Sequence, residues 1–490
     1  MDKFLTSPFC GEVSRRLAVK SVTGFAFGAG LKALGLGDVT AAYAQSCCED
    51  DTLQLDGDYL VDEASRRAVS FDYGRSFYRL PLAVAKPRTV NDLVRIVQHA
   101  NEVGLKVAMR GQGHSLSGQT LVDAGIVIDS SSLNHVGLAS GDTIDAQAGA
   151  LWSDVARGTL TQGRLPPVMP DALVLSVGGT LSVGGLGEAS YRFGAQVDQV
   201  RELDVVTGRG EFVTCSEDRS PELFSMTLAG LGQCGIIVRA RLSLKPAEKF
   251  VVTHTLAYPD VETLLSDQAR LTEFAEPALL NGRLVRTSNG AWDCFIAAGR
   301  FVAEATLVAR TCDWIKELHH SSAAEPVLAP IWGYLDRRTA SITARKPETN
   351  PNPSLVLSLP AAVTGSFIAE VLASRELSAG IWFFEVSPKI PARHTRPLQK
   401  MPTSALAYEL RMQRRASTFT AADHREMLLA NLRLAARALE LGGKVYPPFA
   451  PVLSASQWQE HFAEAIWKRF GAAKQRFDPN NVLNPGAGIF

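Results

Sequence analysis

The chain has 490 residues, 46% of them hydrophobic, and its 50 basic residues equal its 50 acidic residues in number. A chain of this length is expected to bury two sizeable cores, because single cores seldom grow so large. A formal charge of zero, without any basic run, argues against a nucleic-acid-binding surface, and no nucleic-acid partner is expected. We therefore expect a globular protein whose ligand is a small organic molecule.

Residues 1–44 have the pattern of a cleaved export signal. Arg15 and Arg16 precede a mildly apolar stretch rich in glycine and alanine (22–36), and small residues follow at 42 and 44, the two positions that a signal peptidase reads. Paired arginines here are typical of twin-arginine export, which carries folded proteins. The pattern predicts the twin-arginine machinery as a partner and a periplasmic or secreted location in a bacterium. An ordinary amphipathic helix is the alternative, because paired arginines are common.

The segment after the paired arginines is not expected to anchor the protein in a membrane. Lys32 interrupts the apolar stretch, which is too short and too polar to span a bilayer. Residues 45–57 include Glu-Asp-Asp at 49–51 and are predicted to form a solvated tether. No stable membrane span is therefore predicted.

A predicted helix and two predicted strands flank the most informative motif. Asn91 is expected to cap a helix that runs to about Glu102. Short strands are predicted at 106–110 and 125–129, and residues 110–119 read Arg-Gly-Gln-Gly-His-Ser-Leu-Ser-Gly-Gln. Glycines in such a turn let backbone N–H groups approach a pyrophosphate, because glycine tolerates positive φ angles.

This turn differs from the two commonest phosphate-binding motifs. Leu116 takes the place of the third glycine of the dinucleotide fingerprint, and no lysine follows Gly118 as a P-loop requires. His114 stands at the centre of the turn instead. Taken alone, such a histidine is more often a loop residue that caps the turn.

Two further glycine-rich segments follow. Residues 176–187 read Ser-Val-Gly-Gly-Thr-Leu-Ser-Val-Gly-Gly-Leu-Gly, and residues 230–237 read Gly-Leu-Gly-Gln-Cys-Gly-Ile-Ile. Between them, residues 201–214 have the composition of a hairpin, and residues 238–242 alternate like a strand with one buried face. All three segments are expected to be loops, and three of them so close together are too many to be chance turns.

From about residue 246 these motifs stop. Amphipathic stretches at 261–274 and 361–373 alternate with strand-like runs such as 354–359. This alternation is typical of a sheet covered by helices.

The ordered motifs resemble those of the PCMH-type (vanillyl-alcohol-oxidase-type) FAD-binding flavoproteins, and in detail those of the cytokinin dehydrogenases. That family has a histidyl-FAD loop, a Val-Gly-Gly-Thr-Leu-Ser segment, an Asp-Val-x-Thr-Gly hairpin and a Gly-Leu-Gly-Gln-x-Gly turn in this order. The resemblance runs from about residue 72 to 244, fades through the middle of the chain, and returns at 476–486.

The resemblance implies a fold and its boundaries. We expect an α+β, two-domain PCMH-type FAD-binding fold with a discontinuous FAD domain, formed by residues 58–245 and 446–490. The substrate domain, an antiparallel sheet covered by helices, would be inserted at 246–445.

The resemblance also implies FAD as the cofactor, bonded covalently to the imidazole of His114. The other residues expected at the cofactor are Gly111, Gln112, Gly113, Ser115, Gln119, Ser176, Gly178, Gly179, Ser182, Leu186, Ile236, Tyr446 and Asn484.

Asp171 matches the aspartate that accepts the substrate proton in this family, while hydride moves from carbon to the flavin. A turn or cap carboxylate is the alternative. Asn281 falls where the family has a glutamate at the mouth of the substrate pocket, with Glu276 nearby. Because a neutral amide cannot supply that charge, adenine-type substrates are in doubt.

These expectations define an exported FAD-dependent oxidoreductase that oxidises an amine or alcohol and passes the electrons to oxygen or a quinone. The alternative is a flavin-carrying binding or electron-transfer protein without turnover. No Cys-x-x-Cys pair or His-Glu-x-x-His motif occurs, so no metal site is predicted. Cys215 and Cys234 are expected to be buried thiols.

Overall fold

The computed structural model describes residues 53–274, 277–305, 313–343, 351–389, 396–398, 401–415, 420–462 and 464–490. From Leu55 to Phe490 the chain forms one compact unit. The predicted export signal, most of the predicted tether and Glu276 lie outside the described residues. Within the described ranges, no helix combines the length and the apolar character needed to cross a membrane.

The first part of the chain forms a small sheet with the strand order β1-β2-β4-β3. The neighbours of β4 run parallel to it, and β1 is antiparallel to β2. Because β3 is followed by residues 111–125 before β4 begins, the histidine-containing turn lies at the carboxyl end of β3. The elements are β1 (Asp58–Leu60), α1 (Glu63–Ala68), β2 (Ala83–Lys86), α2 (Val90–Val103), β3 (Val107–Arg110) and β4 (Ile126–Asp129).

Helix α2 is capped by Thr89 and not by Asn91, so that prediction was wrong by two residues. The Thr89 hydroxyl accepts a hydrogen bond from the Asp92 N–H at 3.2 Å, and the Asp92 carboxylate accepts one from the Thr89 N–H at 3.1 Å. Thr89 has the extended backbone of a capping residue, whereas Asn91 already lies in the first helical turn. The helix ends at Gly104, whose φ is +72°.

A second, antiparallel sheet follows with the strand order β5-β9-β7-β8. The predicted hairpin is β7 and β8, and the predicted strand after the third glycine-rich segment is β9. The elements are β5 (Thr143–Gln147), α3 (Trp152–Leu160), β6 (Arg164–Leu165), α4 (Val177–Val183), α5 (Ser190–Phe193), β7 (Val200–Thr207), β8 (Phe212–Ser216), α6 (Pro221–Thr227) and β9 (Gly235–Ser243).

The second glycine-rich segment begins as the short helix α4 and not as a loop. Its glycines allow the helix to lie directly against the end of β5, because a Cβ on Gly178 would stand 2.6 Å from the Cβ of Ala148. Close packing therefore decides the local structure here against the low helix propensity of glycine.

The third sheet contains nine of the strands in the described residues, in the order β14-β11-β13-β12-β17-β18-β16-β19, with β15 also on β11. Its ladders are antiparallel, and helices α7, α9 and α10 pack against it. The elements are β10 (Lys245–Pro246, paired with β6), β11 (Phe250–Tyr258), α7 (Val261–Glu273), β12 (Leu279–Arg286), β13 (Trp292–Val302), β14 (Ser322–Ala323), β15 (Val327–Pro330), α8 (Ile331–Thr343), β16 (Leu355–Pro360), α9 (Ala361–Ala373), β17 (Ile381–Lys389), β18 (Ala407–Arg414), α10 (Ala421–Glu440) and β19 (Lys444–Val445).

The end of the chain, with α11 (Ala455–His461) and α12 (Glu464–Phe477), returns to the first sheet. The Val107 N–H donates to the Val482 carbonyl at 2.9 Å, and the Asn484 N–H donates to the Val107 carbonyl at 2.7 Å. A buried ion pair holds this return in place, because Lys474 Nζ lies 2.6 Å from Asp478 Oδ2. The Asp478 carboxylate also accepts hydrogen bonds from the backbone N–H groups of Val482 and Leu483.

Asp478→Ala should therefore lower the free energy of unfolding by about 3–5 kcal/mol, because it leaves a buried ammonium and two N–H groups without their acceptor. The denaturant midpoint of the protein measures this loss. Asp218→Ala, which removes an exposed carboxylate, is the control and should leave the midpoint within experimental error. Equal midpoints for the two variants would show that the pair does not stabilise the fold.

Cys215 and Cys234 are buried and unpaired, as predicted, and so is Cys294. Burial raises the pKa of the Cys215 and Cys234 thiols to about 12. These two thiols therefore stay protonated and unreactive at neutral pH.

Candidate active site

The three glycine-rich segments meet around one cavity of about 590 Å³, its open mouth included. Five glycines line this cavity, and because they carry no side chains, main chain forms the wall at those points, which suits close approach of a large ligand. The wall includes Gly111 and Ser115 from the first segment, Gly178, Gly179 and Ser182 from α4, and Leu231, Gly232, Gly235 and Ile236 from the third. We call this the cofactor cavity.

Two of these glycines cannot carry a side chain. A Cβ on Gly111 would stand 2.2 Å from the Ser176 hydroxyl, and one on Gly232 would stand 1.9 Å from the Asn484 amide nitrogen. The Ser176 hydroxyl is buried and, among the described residues, has no hydrogen-bond partner. An orphaned hydroxyl beside a glycine-lined wall fits a polar ligand such as the diphosphate or ring of FAD.

His114 lies in the turn between Gly111 and Ser115. Its imidazole stacks on the ring of Tyr73, with 4.1 Å between ring centres and 19° between planes. Backbone hydrogen bonds hold the turn on both sides, from the Tyr73 N–H to the Ser115 carbonyl at 3.0 Å and from the Leu116 N–H to the Pro448 carbonyl at 3.0 Å. The turn that carries the imidazole is therefore held in place, and its residues Gly111 and Ser115 line the cofactor cavity.

Asn484 ties the carboxyl-terminal segment to the cofactor cavity, whose wall it joins. Its side-chain oxygen accepts from the Met109 N–H at 3.0 Å, and its side-chain nitrogen donates to the Leu231 carbonyl at 3.0 Å. Its own carbonyl accepts from Gln233 Nε2 at 2.9 Å. The Asn484 amide thus shapes the cavity by joining β3 to the third glycine-rich segment.

The structure places the residues predicted at the cofactor in three groups. Those that line the cofactor cavity are Gly111, Ser115, Gln119, Gly178, Gly179, Ser182, Ile236 and Asn484. His114, Gln112 and Gly113 share the first turn with them, Ser176 is the residue that precedes α4, and Leu186 follows α4 without lining the cavity. Tyr446 lies apart from this wall, where its buried hydroxyl accepts a hydrogen bond from the Gly185 N–H.

A second cavity of about 1200 Å³, its mouth included, contains Asp171. We call it the substrate cavity. Its inner end is formed by Asp171, Glu188, Tyr334 and Arg338. Because Asp171 stands shortly before α4, the single chain segment 171–182 contributes to the walls of both cavities.

Arg338, on helix α8, joins the carboxylates of this inner end. Its guanidinium lies 3.0 Å from Asp171 Oδ1 and 2.8 Å from Glu188 Oε1. Arg411 adds a second cation 3.7 Å from Asp171 Oδ2. Burial raises the pKa of Asp171, but the charges of Arg338 and Arg411 outweigh it, so the pKa is lowered overall and the carboxylate is ionised at neutral pH.

The strands of the large sheet bring further charged side chains to this place. The residues that meet here, which we call the cluster, are Asp171, Glu188, Tyr334, Arg338, Glu385, Lys389, Glu409 and Arg411. Glu385 on β17 and Arg411 on β18 are direct cross-strand partners, with 4.0 Å between Arg411 Nε and Glu385 Oε2. The Asn281 side-chain nitrogen, on β12, donates a hydrogen bond to Glu385. Asn281 thus lies beside the cluster. Asn281 was expected to replace a glutamate of the family, and the carboxylate of Glu385 stands next to its amide.

Two other carboxylates of the cluster respond differently from Asp171. Burial raises the pKa of Glu188 and of Glu409, even though Arg338 and Arg411 lower it in turn. The Tyr334 hydroxyl donates to Glu188 at 2.5 Å. Around Arg338 and Arg411, one firmly ionised carboxylate therefore stands with two that take up protons more readily, which is the separation of pKa values that acid–base chemistry needs.

Sequence reasoning missed most of this cluster. The missed residues are Glu188, Tyr334, Arg338, Glu385, Lys389, Glu409 and Arg411. A signal was present on the strands, because polar residues alternate with apolar ones along β17 and β18, and in a strand such residues share one face. No comparable signal marked Arg338, which is one of several polar residues on α8.

Comparisons with known proteins agree with this geometry. Residues 81–216 match the FAD binding domain family, and residues 399–490 match the family described as cytokinin dehydrogenase 1, FAD and cytokinin binding. An uncharacterized oxidoreductase of the fasciation locus of Rhodococcoides fascians is 32% identical over 88% of this chain and 99% of its own length. Cytokinin dehydrogenase 1 of Arabidopsis thaliana is 30% identical over 90% of this chain and 83% of its own length.

The fold is also that of a solved structure. The crystal structure of 6-hydroxy-D-nicotine oxidase from Arthrobacter nicotinovorans superposes with a TM-score of 0.70 over 88% of this chain and 97% of that chain, at 18% sequence identity. The predicted α+β, PCMH-type FAD-binding fold is thereby confirmed. With relatives aligned over most of their lengths, the chain belongs to the cytokinin dehydrogenase family of FAD-dependent oxidoreductases.

Proposed function

We propose that this enzyme holds FAD covalently through His114 and oxidises the C–H bond beside an N–H or O–H group of a small substrate, with Asp171 as proton acceptor. The observation that supports this most directly is that one short segment, 171–182, contributes Asp171 to the substrate cavity and Gly178, Gly179 and Ser182 to the cofactor cavity. An amine is the first candidate for the substrate, ahead of an alcohol.

Bound FAD supplies an acceptor for the hydride that leaves the substrate carbon. The residues that would hold it are the main-chain groups of the cofactor cavity and the hydroxyl of Ser176, which has no partner of its own among the described residues. His114 would carry the covalent bond, because its ring is fixed by Tyr73 beside that cavity.

Asp171 takes the proton that the substrate releases. The Arg338 guanidinium keeps the carboxylate ionised and ready, but it also makes the carboxylate a weak base. As hydride leaves an amine carbon, positive charge develops on the nitrogen and its N–H becomes more acidic. A weak, well-placed base therefore suffices for this step.

Anaerobic mixing of the flavin-loaded protein with a panel of cytokinins, other amines and alcohols tests the proposal. Loss of the oxidised-flavin absorbance is expected with at least one compound of the panel. If no compound reduces the flavin while dithionite does, a flavin carrier without turnover replaces the proposed enzyme.

The pH dependence of flavin reduction should report the ion pair between Arg338 and Asp171. Asp171 must be ionised to accept a proton, and its lowered pKa means that activity falls only at strongly acidic pH. Arg338→Met removes the nearest cation, so burial prevails and the acid limb of the rate profile should move to higher pH. Arg337→Met, at an exposed neighbour on α8, should leave the profile unchanged. An acid limb that is the same in both variants would contradict the coupling.

We also propose that the chain leaves the cytoplasm by twin-arginine export, on the sequence pattern of residues 1–44 alone. The mature amino terminus is expected near Gln45, and Arg15→Lys combined with Arg16→Lys should retain the precursor in the cytoplasm. A cytoplasmic product that still begins at Met1 would contradict the export signal.

A further inference from the structure

The mouth of the substrate cavity is positively charged. On its more exposed side the wall carries three cationic side chains, Arg192, Lys245 and Arg300, and one carboxylate, Glu248. This excess of positive charge is separate from the charges of the inner end, where Arg338 is already paired with Asp171 and Glu188. Arg300 has an interaction of its own, so Arg192 and Lys245 are the cations of the mouth that a negatively charged ligand could meet.

Lys245 is the central cation of this mouth. Its ammonium lies over two aromatic rings, 4.0 Å from the ring centre of Phe193 and 5.5 Å from that of Phe301. Burial lowers its pKa to about 8, and the charge of Arg192 contributes to the lowering. In the part of the chain that the structure describes, no carboxylate counters this charge. A partly buried ammonium without a carboxylate gains from an anionic ligand.

Apolar side chains make up much of the remaining wall of the substrate cavity. They include Pro166, Pro167, Leu279, Ile331 and Leu335. A ligand that fills the cavity would thus have a charged end, an apolar body and a reacting end at Asp171. Neutral adenine-type compounds lack the charged end.

We infer that the substrate of this cavity carries an anionic group, a carboxylate or a phosphate, which pairs with Lys245 while its amine or alcohol lies at Asp171. The reacting end of this inference rests on the proposed function. The proposed anion site rests only on the residues of the mouth, and binding of an anion there can be measured without any turnover.

Calorimetric binding to the flavin-loaded protein tests the anion site. Phenylacetate and phenylacetamide are matched probes that differ in charge and hardly in size, and benzylphosphonate represents the phosphate class. The parent should bind phenylacetate about 10-fold more tightly than phenylacetamide, the worth of one charge-assisted hydrogen bond. Tighter binding of benzylphosphonate than of phenylacetate would assign the site to phosphates, and the reverse would assign it to carboxylates.

Lys245→Met should abolish the preference for the anion, and Lys245→Arg should retain it, which separates lost charge from lost structure. Lys249→Met removes an exposed lysine that does not line the cavity, and it should leave the preference intact. Equal affinities for phenylacetate and phenylacetamide in the parent, or a preference that survives Lys245→Met, would overturn the inference. The parent could also prefer phenylacetate while no amine or alcohol reduces its flavin. That result would contradict the proposed reaction and would still support the anion site.

Discussion

Asp171→Asn should slow anaerobic reduction of the flavin by about 10²–10⁴-fold, the usual contribution of a general base. The substitution keeps the size of the side chain and an oxygen that accepts from Arg338, but it removes the basicity. Arg338 remains paired with Glu188 at 2.8 Å, so the buried cation is not stranded. Flavin content and absorbance should therefore match those of the parent.

Stopped-flow absorbance with a true substrate measures this effect. Asp142→Asn, in an exposed turn, is the matched control and should reduce its flavin at the parental rate. If Asp171→Asn is as fast as this control, the proton acceptor lies elsewhere, and Glu188 becomes the next residue to substitute, because it lines the same inner end.

His114→Ala should abolish covalent flavin entirely, since no other group in the first turn offers an imidazole nitrogen. The glycine-lined wall is untouched, so dissociable FAD should still bind. Acid-precipitated parent should stay yellow and fluoresce in a denaturing gel, whereas the variant should lose all of its colour to the supernatant.

His135→Ala, at an exposed histidine outside the cofactor cavity, should keep the fluorescent band. Parent protein that releases all of its flavin in acid would remove the covalent bond from the proposal. A fluorescent band that persists in His114→Ala would move the attachment to another residue.

The sequence by itself predicted the segments that form the cofactor cavity. Gly232 has a positive φ, and a Cβ on Gly111 would meet the Ser176 hydroxyl, so glycine is the one residue type that suits both positions. Strand alternation is local as well, and for that reason β3, β7, β8 and β9 could be predicted from short windows.

Short stretches of sequence were insufficient to predict the local structure where tertiary packing overrides the helix propensity of the residues. The segment that starts at Val177 is rich in glycine and was expected to be a loop, yet it forms a helix because Gly178 fits against Ala148. Asn91 and Thr89 are both residues that cap helices, and only the hydrogen bonds of Thr89 with Asp92 decide between them.

Only the tertiary structure decided which charged side chains surround Asp171 in the substrate cavity. Asp171 meets Arg338 and Arg411 across long stretches of sequence, and periodicity indicates which faces are buried without indicating which buried charges will pair. Sheet register places Glu385 opposite Arg411 and brings Asn281 to the same carboxylate. The pKa of Asp171 follows from these distances because burial and nearby cations act in opposite directions, and their balance exists only in the folded chain.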